Sequence, residues 1–252
     1  MYPYKLFAEI DLYTVLLAIG LILAMAVYRI MADKVQMNVK LFNFTLICAL
    51  CAITAGYFFS VLFQAIYNIK SRGAFIIDAR TGATFAGGLI GGAAMFIAVY
   101  FLFGRKYDAA RNFFSVADCA FCGIAFGHST GRIGCLMAGC CHGAETDAWY
   151  GIYMVALDAK VVPTQLFEAI FLCLLGAVLV LLTVRKKRIT MQVYMLSYGI
   201  FRFLIEFLRA DYRGSFIVDF LSPSQVISLL LIVGAVAVHI VRKRTEANGD
   251  AE

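Results

Sequence analysis

The chain has 252 residues, of which 62% are hydrophobic and 15% charged, with a formal charge of +6. That balance lies outside the range of soluble globular domains. It also excludes a nucleic-acid-binding module, because the positive charge sits in short segments between long apolar runs.

At about 1.5 Å per residue, roughly 20 apolar residues cross a hydrocarbon core, and backbone polar groups inside lipid must be satisfied within the segment. Seven apolar runs, the shortest of 16 residues, are read as spans: residues 12–30, 41–66, 85–103, 113–130, 163–184, 193–208 and 226–241. They lack the alternation of barrel strands, so the expected fold is an all-α polytopic membrane protein of about seven transmembrane helices in one integral domain. The first run has no small-residue cleavage site before the charged segment that follows, and is expected to stay as an anchor. Residues 243–252 read as a frayed polar tail.

Lys34 and Lys40, then Arg105, Lys106 and Arg111, then Arg185 to Arg188, then Arg242 to Arg244 all fall on one side of a seven-span plan. The positive-inside rule makes that side cytoplasmic, with the N terminus outside and the C terminus inside. The expected outer segment between the fourth and fifth runs carries Trp149, Tyr150 and Tyr153, side chains suited to headgroup level. Cys48, Cys51, Cys119, Cys122 and Cys173 lie within apolar runs, where cysteine behaves as a small hydrophobe.

Four polar stretches interrupt this pattern. TGATFAGGLIGG opens the third run, and its Gly87/Gly91 and Gly88/Gly92 spacing permits either close helix approach or a ligand against the backbone. GRIGCLMAGCCHG, residues 131–143, holds Arg132, Gly131, Gly134, Gly139 and Gly143 together with Cys135, Cys140, Cys141 and His142. PTQLFEA starts the fifth run, with Pro163 near the first turn and Gln165 and Glu168 expected to face inward from its outer end. YGIFRFLIEFLRADYR places Tyr198, Arg202, Glu206 and Arg209 at three- and four-residue spacing, on one helix face.

An intramembrane arginine costs roughly 2.5 to 3.5 kcal/mol on insertion scales and so needs a partner or a function. One glutamate, Glu206, cannot neutralise Arg132, Arg202 and Arg209, and guanidinium forks match phosphate bidentately. A lipid phosphate is the anion expected at that depth. The Cys135, Cys140, Cys141 and His142 group also admits a disulfide, or a soft metal, but adjacent Cys-Cys-His presents three tetrahedral ligands poorly and no metal is expected.

The ensemble resembles the prolipoprotein diacylglyceryl transferase family. GRIGCLMAGCCHG is similar to its glycine-rich signature, FAGGLIGG to its His-Gly-Gly-Leu-Ile-Gly, PTQLFEA to its Pro-Ser-Gln-Leu-Tyr-Glu and YGIFRFLIEFLR to its Tyr-Gly-x-x-Arg-x-x-x-Glu-x-x-Arg. Tyr13 stands where the family carries a tyrosine on its first span. The resemblance implies transfer of diacylglyceryl from phosphatidylglycerol to the lipobox cysteine of an exported prolipoprotein, with release of glycerol 1-phosphate and no cofactor. The implied setting is the bacterial inner membrane, with the active region at the outer leaflet. It also implies Arg132, Arg202 and Arg209 as phosphate clamps oriented by Glu206, with Tyr13, Gly87, Gly88, Gly131, Gly134, Gly139, Gly143, Gln165, Glu168 and Tyr198 around the substrates. The family histidine is Ala86 here, and Cys135, Ala138 and Cys140 replace two asparagines and an acid, so His142, or less favourably His128, is the candidate base. A catalytically altered paralogue and a lipid-binding protein without chemistry are the alternatives.

Overall fold

The computed structural model describes residues 5–7, 10–73, 75–78, 81–155, 157–209 and 221–249. Among them are seven α-helices: α1 (Leu12–Lys34), α2 (Val39–Arg72), α3 (Phe85–Phe103), α4 (Ala109–Ala138), α5 (Thr164–Val184), α6 (Thr190–Ile205) and α7 (Pro223–Gly249). Two short antiparallel pairs accompany them, β1 (Lys5–Phe7) with β2 (Ile10–Asp11), and β3 (Ile152–Met154) with β4 (Ala159–Val161). The expected polar tail is helical through Gly249, as the end of α7.

Five helices are long and apolar enough to cross a membrane: those over Leu12–Lys34, Val39–Ile69, Ala86–Phe103, Thr164–Val184 and Pro223–Thr245. The other two, α4 and α6, fall short for separate reasons. Asp118, His128, Ser129, Thr130 and Arg132 load α4 with polar groups. Helix α6 has only 16 residues.

The chain forms two compact units, residues 36–116 and residues 1–35 with 117–252. In the first, α2 and α3 meet along small residues: a Cβ on Gly87 would lie 2.6 Å from the Phe59 carbonyl oxygen, and one on Gly56 would lie 3.0 Å from that of Gly88. Gly87 and Gly88 thus serve helix approach here. The Tyr100 hydroxyl donates to the Ala109 carbonyl at 2.8 Å within a buried cluster of Leu41, Phe44, Cys48 and Val116.

In the second unit α1 crosses α4 at Gly20 and Gly127, where each added Cβ would come within 2.9 Å of the other residue's carbonyl oxygen. Such close contact supplies dispersion energy where lipid offers no hydrophobic drive. At the end of this unit that carries the basic turn after α5, the Asp118 carboxylate takes Arg242 Nη2 at 2.7 Å and the Met191 backbone N–H at 2.9 Å. Arg242 Nη1 also donates to Gln192 Oε1 at 3.1 Å. One carboxylate so joins α4 to the start of α6 and to α7, and its charge faces the positive end of the α6 dipole. Removing one partner of a buried ion pair leaves the other uncompensated. Arg242→Ala is therefore expected to lower the stability of the detergent-solubilised protein by about 3 kcal/mol, read as a lower thermal unfolding midpoint, with the surface variant Lys243→Ala unchanged.

Candidate functional site

Some 14 residues along α4 from Asp118, about 21 Å at the helical rise, lies a second group of buried charges. Its centre is Glu168 on α5, whose side chain is 0% exposed. Glu168 Oε1 lies 3.0 Å from Arg132 Nε of α4, as a close ion pair out of line for a hydrogen bond, and accepts the Tyr198 hydroxyl of α6 at 2.8 Å. His128, one turn before Arg132, holds its Nε2 at 3.9 Å from the same oxygen, while its Nδ1 meets the Tyr194 hydroxyl at 3.2 Å. The His128 ring stands edge-on to Tyr198, which is stacked on Tyr194.

The charge count read from the sequence is corrected at this point. Arg132 does not share Glu206 with the other arginines, because it has Glu168 as its own carboxylate. The sequence places Glu168 near the site but carries no signal of that pairing, since 36 residues separate the partners and no local periodicity links them.

Glu206 stands between the other two guanidiniums, as the spacing implies. Arg202 Nη2 is 2.7 Å from Glu206 Oε2 and Arg209 Nε is 3.9 Å from it. The expected continuous helix face is not found, however: α6 tightens into a 3-10 turn over Glu206–Leu208, and Arg209 is extended, at φ −88 and ψ 145. Ser222 and Ser224, which the sequence reading missed, complete the group. Ser222 Oγ donates to Glu206 Oε1 at 2.7 Å, and Arg202 Nη2 donates to Ser224 Oγ at 2.8 Å. Arg202 Nη1 is buried and has no hydrogen-bond partner among the described residues. Tyr198 and His128 each lie within electrostatic reach of both Arg132 and Arg202, which makes the two groups one site.

The glycine-rich stretch has two halves of different structure. Its first half is the end of α4, so Gly131, Arg132 and Gly134 are helical, and a Cβ added at Gly134 would lie 3.1 Å from the ring of Tyr13 on α1. The helix stops at Gly139, whose φ of 73 is costly for any other residue. Beyond it, Gln165 Nε2 donates to the Cys140 carbonyl at 2.6 Å and Thr164 Oγ1 to that of Cys141 at 2.9 Å. Gly143 then pairs with Arg209 in an isolated antiparallel bridge. His142 points its Nδ1 at the Gly143 carbonyl, 2.9 Å away. A carbonyl only accepts, so Nδ1 carries the proton and Nε2 keeps its lone pair.

All eight cysteines are free thiols. The Sγ atoms of Cys135, Cys140 and Cys141 lie within 4.8 Å of one another. Hydrogen bonds from the Cys135 and Cys140 thiols, and then from the Arg209 guanidinium, hold the Cys141 thiol below the ordinary thiol range against the opposing effect of burial. In the segment between α4 and α5, Trp149, Tyr150 and Tyr153 are exposed, Trp149 at 91%.

Several apolar helices of membrane-spanning length, with paired arginines and glutamates buried beside a glycine-terminated helix, define a multi-pass membrane protein with a charged internal site. The family model of prolipoprotein diacylglyceryl transferase matches residues 4–241, and the chain belongs to that family. Phosphatidylglycerol–prolipoprotein diacylglyceryl transferase 2 of Clostridium perfringens is 35% identical over 211 residues, covering 81% of this chain and 79% of the relative. The phosphatidylglycerol–prolipoprotein diacylglyceryl transferases of Clostridium tetani and Clostridioides difficile are each 30% identical, over 93% and 97% of this chain and 94% and 95% of their own.

Two substitutions separate the parts of this site. Glu168→Ala leaves Arg132 buried without its carboxylate and is expected to cost about 3 to 5 kcal/mol of stability, whereas Tyr198→Phe removes one hydrogen bond to a charged group for about 1.5 to 3 kcal/mol. Unfolding midpoints in detergent, compared with wild type, check the order. At Gly143 an added Cβ would sit 2.5 Å from the Leu208 carbonyl oxygen. Gly143→Ala is expected to displace the strand that carries Arg209, and to lose at least tenfold in transferase activity in a membrane assay.

Proposed function

We propose that this chain transfers the diacylglyceryl group of phosphatidylglycerol to the lipobox cysteine thiol of an exported prolipoprotein. The observation that carries this reading is Arg202 Nη1, a buried guanidinium N–H with no hydrogen-bond acceptor among the described residues, while its neighbour Nη2 is held by Glu206 and Ser224. A phosphate oxygen is the acceptor that such a fork fits.

The acceptor thiolate attacks the glycerol carbon that bears the phosphate ester. A carbon–sulfur bond forms, the carbon–oxygen bond breaks with its electron pair going to oxygen, and glycerol 1-phosphate departs. Charge grows on the phosphate oxygens, so donors fixed before reaction lower the barrier without reorganising. Arg202 holds one such oxygen, with Arg132 and Arg209 as further cations of the site. Glu206 positions Arg202 and Arg209, and Glu168 positions Arg132. Gln165 and Thr164 brace the segment after α4, and Gly139 and Gly143 let it turn and lie flat. Nε2 of His142 takes the thiol proton, in place of the family histidine that is Ala86 here. Tyr13, Gly131, Gly134 and Tyr198 shape the wall near Arg132.

We place seven spans in the bacterial inner membrane, with α4 and α6 shielded by their neighbours, the N terminus outside, the C terminus cytoplasmic and the arginines at the outer leaflet. Two features support this orientation: Trp149, Tyr150 and Tyr153 flank the arginine end, and the basic turns lie at the other.

Purified protein in phosphatidylglycerol vesicles with a lipobox peptide tests the reading. Wild type is expected to give thioether-linked diacylglyceryl peptide. Loss of one preorganised donor costs about 10² to 10³ in kcat, so Arg202→Gln is expected to fall by that factor. No product from wild type, or full activity in Arg202→Gln, would overturn it.

A further inference from the structure

Three cysteines of the glycine-rich stretch, two of them at positions that depart from the family signature, are brought together by the way α4 ends. Gly139 N–H donates to the Leu136 carbonyl at 3.2 Å and Cys140 N–H to the Cys135 carbonyl at 3.1 Å. This is a Schellman motif, in which the residue after the left-handed glycine is folded back over the residue five before it, normally as a hydrophobic contact. Here both members of that contact are cysteines. Cys141 follows at φ 65, unusual for a residue with a side chain, and turns its thiol to the same point.

We propose that Cys135, Cys140 and Cys141 form a trithiolate site for a thiophilic d10 cation, of the class of Zn2+, Cd2+ and Cu+. Sulfurs bound at about 2.3 Å around one ion stand about 4 Å apart, so three that already lie within 4.8 Å need only rotamer adjustment to close on it. Thiolates are the ligands that select such ions. Each metal–sulfur bond replaces a thiol proton, which leaves to solvent. The entry path is Cys140, which is exposed. The Arg209 guanidinium beside Cys141 offsets the negative charge of three thiolates on one ion. His142, counted as a ligand when only sequence spacing is considered, bonds the Gly143 carbonyl instead, and Cys135 takes its place from the preceding helix turn. The site stands independently of the transfer reaction.

The test is titration of the reduced full-length protein in detergent with Cd2+, reading the ultraviolet thiolate-to-cadmium charge-transfer band and the metal retained after gel filtration. Wild type is expected to bind one Cd2+ per chain. Cys135→Ser, Cys140→Ser and Cys141→Ser are each expected to weaken binding about 100-fold, at least the loss seen when a ligand's supporting shell is removed. Cys173→Ser is expected to bind like wild type. Cys140 is at the surface, so its variant alters ligation without touching the core, and helical circular dichroism verifies that each variant is folded. Absence of saturable uptake by wild type, or unchanged uptake by folded Cys140→Ser, would overturn the proposal.

Discussion

A carboxylate wholly withdrawn from solvent can exist as an anion only if cations and donors are brought to it, and Glu168 imposes that condition on its whole compact unit. Arg132 must come from α4 and Tyr198 from α6, so three helices are fixed in rotation by one side chain. Glu206 repeats the device between α6 and the start of α7 through Arg202 and Ser222. Asp118 repeats it at the far end, where Arg242 and the α6 N-terminus converge. The apolar surfaces supply most of the burial but little direction, since one leucine face packs on another in many registers. Charge pairs with one partner each select a single register, and removing half of a pair is far costlier than removing both.

How much of this was legible in the sequence depended on how local each feature is. The apolar runs locate the helices because length and composition act segment by segment, and the Arg202–Glu206 pair follows from four-residue spacing. The Arg132–Glu168 and Asp118–Arg242 pairs span 36 and 124 residues, and nothing in a helical period connects residues so far apart. Glycine disfavours isolated helices, so the composition of residues 131–143 does not show where α4 ends. Inside the bundle Gly134 instead buys room for Tyr13, and the helix runs on to Ala138. The 3-10 turn at Glu206–Leu208 was hidden because three- and four-residue spacings survive either geometry. Ser222 and Ser224 have no motif of their own and became visible only once their partners were in place.

The same economy explains how a low-dielectric site can meet a phosphate. Guanidiniums held by carboxylates and serines keep their charge and direction before substrate arrives, so little reorganisation accompanies the growth of negative charge on a leaving phosphate monoester. The segment after Gly139 carries one of the departures from the family pattern, Cys140, yet its backbone contacts to Thr164, Gln165 and Arg209 rely on carbonyls and glycines, which side-chain replacement leaves intact. Cysteines could therefore enter that segment without dismantling the arginine site beside it.

The buried Arg202 Nη1, with no hydrogen-bond partner among the described residues, is the group proposed to take a phosphate oxygen. Equilibrium dialysis of radiolabelled glycerol 1-phosphate against the detergent-solubilised protein tests it most directly, with glycerol as the uncharged control. The account expects one saturable site per chain that ignores glycerol and is lost in folded Arg202→Gln. Undiminished binding of glycerol 1-phosphate by that variant would contradict it.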